Sequence, residues 1–470
     1  FRSLSMRPFS SKNWKYDFDV LIVGGGIVGS TLACKLATNP IGKAFKIGLI
    51  EGSAPPELDD ILKDKIPDPR VYTLAPVSQR LIESVDAWER ILSRTKPFKK
   101  MHVFDSRGTG FMRFDSKLTR SSELGHVVEH KTVQSSLFER MEQLSKENAL
   151  DLRCPAELVN IDFSPTIKEP AGPMKATLKD KENGSLFEAN VRLLVGADGK
   201  GSKVQRLRGI SNWGWGYGQR AVVTIVKLSP NSNNETAWQR FLPNGPLAMI
   251  PLWDDYASIV WSTTPEEAEL MKRMTENDLC QKLNSALQSQ PISPTSALRN
   301  IPLLGTVLDE ATGVVNGLTS LIAMNENEGE APILPEITGT VGPRLGFDLS
   351  LSQSRTYVAP RLALVGDAAH SLHPMSGQGL NMGLADVDCL ARVIVEGANA
   401  GADLGSLRLL ETYNRERHPR NLSLMGGLEI LNRMFTARDG PSALVRNAGM
   451  AMIESAGPVK KVITRVAMGI

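Results

Sequence analysis

The sequence is short of several features at once, and each shortage excludes something. It has four cysteines in 470 residues, Cys34, Cys154, Cys280 and Cys389, with no Cys-x-x-Cys pair among them. That excludes a disulfide framework and a cysteine zinc site, and it fits a reducing compartment. No run of about 18 apolar residues occurs, so no membrane-spanning helix is predicted. Neither charge dominates: 54 basic residues stand against 51 acidic ones, a net +3. Without a basic stripe, nucleic acid is excluded as a main partner. There is no internal repeat, no metal-ligand spacing and no second glycine-rich nucleotide loop beyond the one described next. The length allows two or three domains around a large core.

What is present begins at Asp19-Val-Leu-Ile-Val23, a short apolar run that reads as a buried strand. Gly24-Gly-Gly-Ile-Val-Gly29 follows, then a helix from Ser30 to Ala37, then a strand from Phe45 to Ile50 closed by Glu51. Gly24, Gly26 and Gly29 match G-x-G-x-x-G. The first allows the turn, the second lets backbone approach a pyrophosphate, and the third lets helix and strand pack closely. The helix N-terminus offers free N–H groups to the phosphate. Glu51 is placed to accept from ribose hydroxyls, which favours FAD or NAD over NADP. The bland alternative is a structural turn.

Two further motifs end strands. Leu193-Leu-Val-Gly-Ala-Asp-Gly199, followed by Ser202, presents Asp198 either to a cofactor or as a plain helix cap. Leu364-Val-Gly-Asp-Ala-Ala-His370 leads into His373-Pro-Met-Ser-Gly-Gln-Gly-Leu-Asn-Met-Gly383. There Asp367 can accept from a polyhydroxyl chain such as ribityl. Gly377, Gln378 and Gly379 bare backbone N–H groups at a helix start, where they favour the negative charge of a reduced flavin, and Asn381 adds a hydrogen bond. The alternative is a glycine loop that only caps its helix. His370 and His373 flank this loop, either as packed and capping residues or as a proton shuttle.

Together these motifs resemble the group A flavoprotein monooxygenases, the aromatic hydroxylases with one FAD. The resemblance covers roughly residues 17–470. The segments Trp238-Gln-Arg-Phe-Leu-Pro-Asn-Gly-Pro-Leu-Ala-Met-Ile-Pro251 and Ile259-Val-Trp-Ser-Thr263, with His373 to Gly383, resemble most closely the hydroxylases of mitochondrial ubiquinone (coenzyme Q) biosynthesis. The resemblance implies an α/β fold: a Rossmann-like FAD-binding domain of the para-hydroxybenzoate hydroxylase type, interrupted by an antiparallel-sheet substrate domain and followed by C-terminal helices. The expected boundaries are 17–98, 127–209 and 345–398 for the FAD-binding domain. Residues 99–126 and 210–344 form the substrate domain, with an irregular insertion at about 265–340, and 399–470 form the helical region.

It also implies a role for Arg70 on the ribityl–pyrophosphate stretch, and a cofactor contact near Glu129 or His130. Two positions depart from the family pattern: Gln205 where an arginine is usual, with Arg206 one place later, and Pro69 where asparagine is usual. The implied reaction is hydroxylation of a polyprenylated phenol by O₂, at C5, through a flavin C4a-hydroperoxide. No catalytic base is identified, since the flavin performs the chemistry. The implied electron donors are a ferredoxin and its reductase, with NAD(P)H as the alternative, and the implied partners are other ubiquinone-biosynthesis proteins in a complex. Competing readings are a reductase or halogenase on the same fold, or an FAD-stabilised scaffold. Trp213-Gly-Trp215 echoes a halogenase motif, but Gly216 and Tyr217 then break it.

Phe1 to Tyr16 has Arg2, Arg7, Lys12 and Lys15, several serines and no acid. That is the composition of a mitochondrial transit-peptide remnant, or of a basic disordered tail. From Leu428 to Ile470 six bases face three acids, with methionines at 434, 450, 452 and 468. This stretch suits either a peripheral contact with the matrix face of the inner membrane or a helical layer closing the core.

Overall fold

The computed structural model describes residues 15–106, 111–163, 172–230, 232, 234–288 and 334–436, and in the last stretch 446, 449–450, 452–454 and 456–469. Most of the basic segment 1–16 and of the insertion expected at 265–340 lies outside these residues.

The first sheet is built on Phe18–Val23, every residue of which except Asp19 is buried. Burying one such aliphatic side chain contributes about 1.5–3 kcal/mol, which is why this run sits at the centre. Leu186–Gly196 pairs with it in parallel on one side and Ile47–Ile50 on the other. Asp151–Arg153 and Leu362–Leu364 extend the sheet outward, also in parallel. Helix Ile27–Thr38 crosses between the first two strands. Gly29 allows that crossing, because a Cβ there would collide with the Gly24 carbonyl.

A second sheet runs in the order 370–371, 337–354, 212–228, 256–263, 245–251, 236–242, 100–105, 111–115. All its pairings are antiparallel except that of 236–242 with 100–105. The strand Ile337–Ser354 runs well past residue 345, where the dinucleotide fold was expected to resume. Its partner Asn212–Leu228 is seventeen residues long, and the pairing holds the chain in this sheet until Ser354. The strand's beginning at Ile337 also trims the irregular stretch expected to reach 340. Its far end pairs Ser352 with Ser371 and Gln353 with His370, stitching the second sheet to the third motif.

A small third sheet of Val71–Leu74, Gly125–Glu129 and Lys96–Phe98 lies between. The helices Gly379–Asn399, Leu407–Thr436 and Gly457–Met468 follow. The fold is the expected one: a Rossmann-like FAD-binding domain interrupted by a mainly antiparallel sheet, with helices at the C-terminal end.

Candidate functional site

The strand register gathers the motifs. Val23 pairs with both Ile50 and Gly196, and Gly196 pairs with Leu364. The residues that follow are the glycine loop, Glu51, Asp198 and Gly366–Asp367. All four groups therefore emerge at the carboxyl ends of the parallel strands of one mixed sheet, where open α/β sheets take ligands.

Gly24 has φ +110°, and a Cβ there would strike the Ala197 carbonyl. Gly25 donates its N–H to Glu51 Oε2 at 2.6 Å, and the other oxygen, Oε1, accepts from Ser53 N–H at 3.1 Å. Glu51 thus braces the loop as well as standing at its mouth. Gly26 caps the helix, and a Cβ on it would meet nothing within 4 Å. The backbone is bare and open here, and the next N–H groups are those a helix start leaves without partners.

A second group forms around Asp367. Its carboxylate reaches solvent and makes no hydrogen bond with the described residues. Burial nevertheless raises its pKa, against the pull of His370, Lys200 and Arg70. Burial raises the pKa of the Tyr72 hydroxyl; the nearby Arg70 charge pulls it down and the Asp367 charge pushes it up. His130 packs on the Tyr72 ring at 5.7 Å and is pushed down to about 4, first by burial and then by Arg70. Its neighbour Gln134 donates to the Gly25 carbonyl at 3.5 Å. Arg70, Tyr72, His130 and Gln134 therefore join the glycine loop to Asp367. Sequence reasoning missed Tyr72 and Gln134; the one signal was the spacing of Gln134 one helical turn after His130.

The loop before helix Gly379–Asn399 is held from below. Gly377 has φ +62°, and a Cβ there would collide with Thr73 Oγ1. Asn381 Oδ1 accepts the Ala75 N–H at 2.9 Å, and its Nδ2 donates to the Thr73 carbonyl at 2.9 Å. Asn381 is thus a brace between loop and strand, not a free donor as its sequence position suggested. Gln378 Nε2 donates to the Ala467 carbonyl at 3.4 Å. The N–H groups of Gly379 and Leu380 remain at the helix start. His373 Nδ1 accepts the Met375 N–H at 3.1 Å, and burial pushes its pKa to about 4. It is a neutral capping histidine. His370 is locked on Asp386 at 2.6 Å.

Two other expected contacts resolve differently. Asp198 accepts from Ser202 Oγ at 2.5 Å and from the N–H groups of Lys203 and Val204 at 2.6 and 3.1 Å. It caps a helix, and Arg206 reaches the Ser202 carbonyl instead of it. Glu129 is fully buried. Both its oxygens bind Arg94 at 2.8 Å, and the Trp253 indole and the Asp68 N–H donate as well. A carboxylate so saturated is structural; of the pair expected near the cofactor, His130 is the one that packs on Tyr72 beside Arg70.

Apolar packing adjoins the glycine loop. Met375, in the glycine loop, packs on a cluster of Val103, Phe241, Phe435 and Met450, with Phe241 and Phe435 stacked at 3.6 Å. No cluster of His, Cys, Asp or Glu among the described residues has the arrangement of a metal site.

The residues fit FAD. The open backbone at Gly26, the acid at Glu51, the unpartnered carboxylate of Asp367 and the bare helix start at Gly379 match pyrophosphate, ribose, ribityl and flavin in turn.

The family model described as FAD binding domain matches residues 17–301 and 337–426. The protein named "Ubiquinone biosynthesis monooxygenase COQ6, mitochondrial" from Danio rerio is 32% identical over 471 residues, covering 97% of this chain and 92% of the relative. The Xenopus tropicalis protein of that name is 33% identical, covering 95% and 92%, and the Homo sapiens one 32%, covering 98% and 94%. Among solved structures, p-nitrophenol 4-monooxygenase PnpA from Pseudomonas putida DLL-E4 superposes with a TM-score of 0.67 at 15% identity, covering 96% of this chain and 98% of that one. PqsL of P. aeruginosa gives 0.64 at 19%, covering 92% and 99%. At such identities the structures speak for the fold alone.

Proposed function

The chain belongs to the family of FAD-dependent ubiquinone biosynthesis monooxygenases, and from that premise we propose that it hydroxylates the ring of a polyprenylated phenol, at C5, with O₂ as co-substrate. What supports the reading is an accessible carboxylate, Asp367, with no hydrogen bond to the described residues, and, at the glycine loop, the apolar cluster on which Met375 packs. The first would serve the cofactor's polyol, and the second would offer apolar surface to an aromatic ring.

Bound FAD supplies the redox chemistry, taking up electrons and activating O₂. The chain's own residues do the rest. Gly26 and the helix start behind it would hold the pyrophosphate, Glu51 the adenosine ribose, and Asp367 with Arg70 the ribityl stretch. The N–H groups at Gly379 would favour negative charge at the pyrimidine edge. Val103, Phe241, Phe435 and Met375 would hold the phenol ring and keep water away. Burial keeps His373 neutral beside the Gly377–Gly379 loop.

Electrons would come from a ferredoxin and its reductase. Rapid anaerobic bleaching of the flavin by NADPH alone would reject that donor. The relatives' names place them in mitochondria, and this chain's place would be the matrix face of the inner membrane, bound peripherally and in company with other enzymes of the pathway. The decisive experiment is mass spectrometry of quinone intermediates in cells lacking the chain, paired with turnover in labelled O₂. Accumulation of a phenol unsubstituted at C5, and label entering that carbon, are expected. Unlabelled product would favour a reductase or halogenase, and oxidation without product would favour a scaffold.

A further inference from the structure

The helix Gly457–Met468 is folded inside out. The residues it turns inward are Lys460, Thr464 and Met468, spaced four apart. Lys460 is held by Glu454 at 2.8 Å, and Thr464 donates to the Lys460 carbonyl at 2.8 Å. Outward it presents Val459, Val462, Ile463 and Val466, which are 50%, 61%, 38% and 64% exposed. Their spacing of three, four and seven makes one continuous aliphatic stripe along the helix. A helix whose only neighbours were protein core and water would turn that stripe to the core and Lys460 to the water.

The surroundings of the stripe say what covers it. Lys461 and Arg465 are exposed beside it, and the helix contains no acid. Aliphatics flanked by free bases match an anionic lipid surface, with side chains in the acyl boundary and cations among the headgroups. The C-terminal end of the same helix abuts the cofactor loop. Gln378 donates to the Ala467 carbonyl, and a Cβ on Gly469 would meet Val77 at 3.3 Å.

We propose that Gly457–Met468 docks the protein on an anionic bilayer through Val459, Val462, Ile463 and Val466, with Lys461 and Arg465 in the headgroups, and so sets the Pro374–Gly379 side of the protein at the membrane. The docking surface stands on the helix alone. Only its use, to take a lipid-soluble substrate from the bilayer, rests on the proposed function.

The test is sedimentation of the full chain, loaded with FAD, with vesicles of phosphatidylcholine alone or mixed with phosphatidylglycerol. The wild type is expected to bind the mixed vesicles and to leave the neutral ones largely free. Val462→Asp with Val466→Asp is expected to lower the bound fraction about tenfold or more. Lys461→Glu with Arg465→Glu is expected to abolish the preference for anionic lipid. Flavin absorbance and elution volume should stay those of the wild type, because all four side chains are exposed. Wild type that ignores anionic vesicles, or aspartate variants that bind as well as wild type, would overturn the proposal. So would a wild-type dimer that the aspartates split while vesicle binding persists, since the stripe would then face a second copy. Loss of hydroxylation with vesicle binding intact would count against the proposed function and leave this docking in place.

Discussion

His370 Nε2 lies 2.6 Å from Asp386 Oδ2, and both side chains are wholly enclosed. Asp386 also accepts from Arg417 Nε at 2.8 Å, from Asn421 Nδ2 at 3.1 Å and from the Gly366 N–H at 3.2 Å. One carboxylate therefore ties the turn that carries Asp367 to two C-terminal helices. Burial by itself would raise its pKa. The charges and hydrogen bonds of His370 and Arg417 overcome that and hold it below the usual carboxylate range.

Asp386→Asn should cost about 3–5 kcal/mol of stability, because Arg417 is left buried without its counter-charge. A depressed carboxyl contributes its stability above the unfolded-state value, about pH 4, and loses it as the pH falls through the lower folded value. Denaturant unfolding of the wild type should therefore show a loss on acidification below about pH 4 that the variant lacks. Equal acid slopes would remove Asp386 from this role.

Asp367 has the opposite sign. Burial raises its pKa, so in the FAD-free protein its ionisation opposes folding. That cost is absent below the unfolded-state value of about 4 and grows as the pH rises towards the folded one. Asp367→Ala should raise the melting temperature of the apoprotein at neutral pH, not at pH 3, and should weaken FAD binding. Opposite movements of stability and affinity are the mark of a site residue. A variant that lowers both would show Asp367 to be structural.

Glu51 does two things, and they separate by substitution. Its Oε2 holds the Gly25 N–H at 2.6 Å, a charge-assisted bond worth about 1.5–3 kcal/mol. Glu51→Gln keeps an acceptor for that N–H while losing the charge. FAD affinity, read by flavin fluorescence, should fall by about tenfold or more in Glu51→Ala and by clearly less in Glu51→Gln. Equal affinities in all three proteins would take Glu51 out of the site.

The unit from Phe18 to Glu51 was legible because everything it needs is local: a strand, three glycines and an acid within one crossover. The loop at Gly377–Gly379 was legible for the same reason. What sequence order hides is contact between distant segments. Glu129 reads as a candidate ligand until the pairing of 71–74 and 96–98 with 125–129 brings Arg94 against it. Asn381 reads as a free amide until Ala75 and Thr73 arrive from 306 and 308 residues away. Asp386 carries no local signal at all, since its partners come from the turn at Gly366 and from a later helix. The helix at Gly457–Met468 shows the converse limit: its apolar period is plain in the sequence, but which face turns inward is a tertiary fact.

The glycine loop offers the sharpest separation of folding from binding. At Gly24 a side chain meets backbone, the Ala197 carbonyl, and the φ of +110° is one that alanine resists. Gly24→Ala should therefore lose stability and FAD together. At Gly26 φ is −67°, ordinary for any residue, and a Cβ meets no protein atom within 4 Å. Nothing in the fold requires glycine there, so the requirement, if the loop cradles a pyrophosphate, comes from the ligand. Gly26→Ala should leave the apoprotein's melting temperature within about 2 °C of wild type, as a surface change of under about 0.5 kcal/mol does. It should cut FAD affinity by about tenfold or more, because one methyl then stands where phosphate oxygens approach backbone. Calorimetry of the apoprotein and titration with FAD read the two quantities independently. A Gly26→Ala protein that binds FAD like wild type would move the pyrophosphate elsewhere, and with it the alignment of Glu51 and Asp367 along one cofactor.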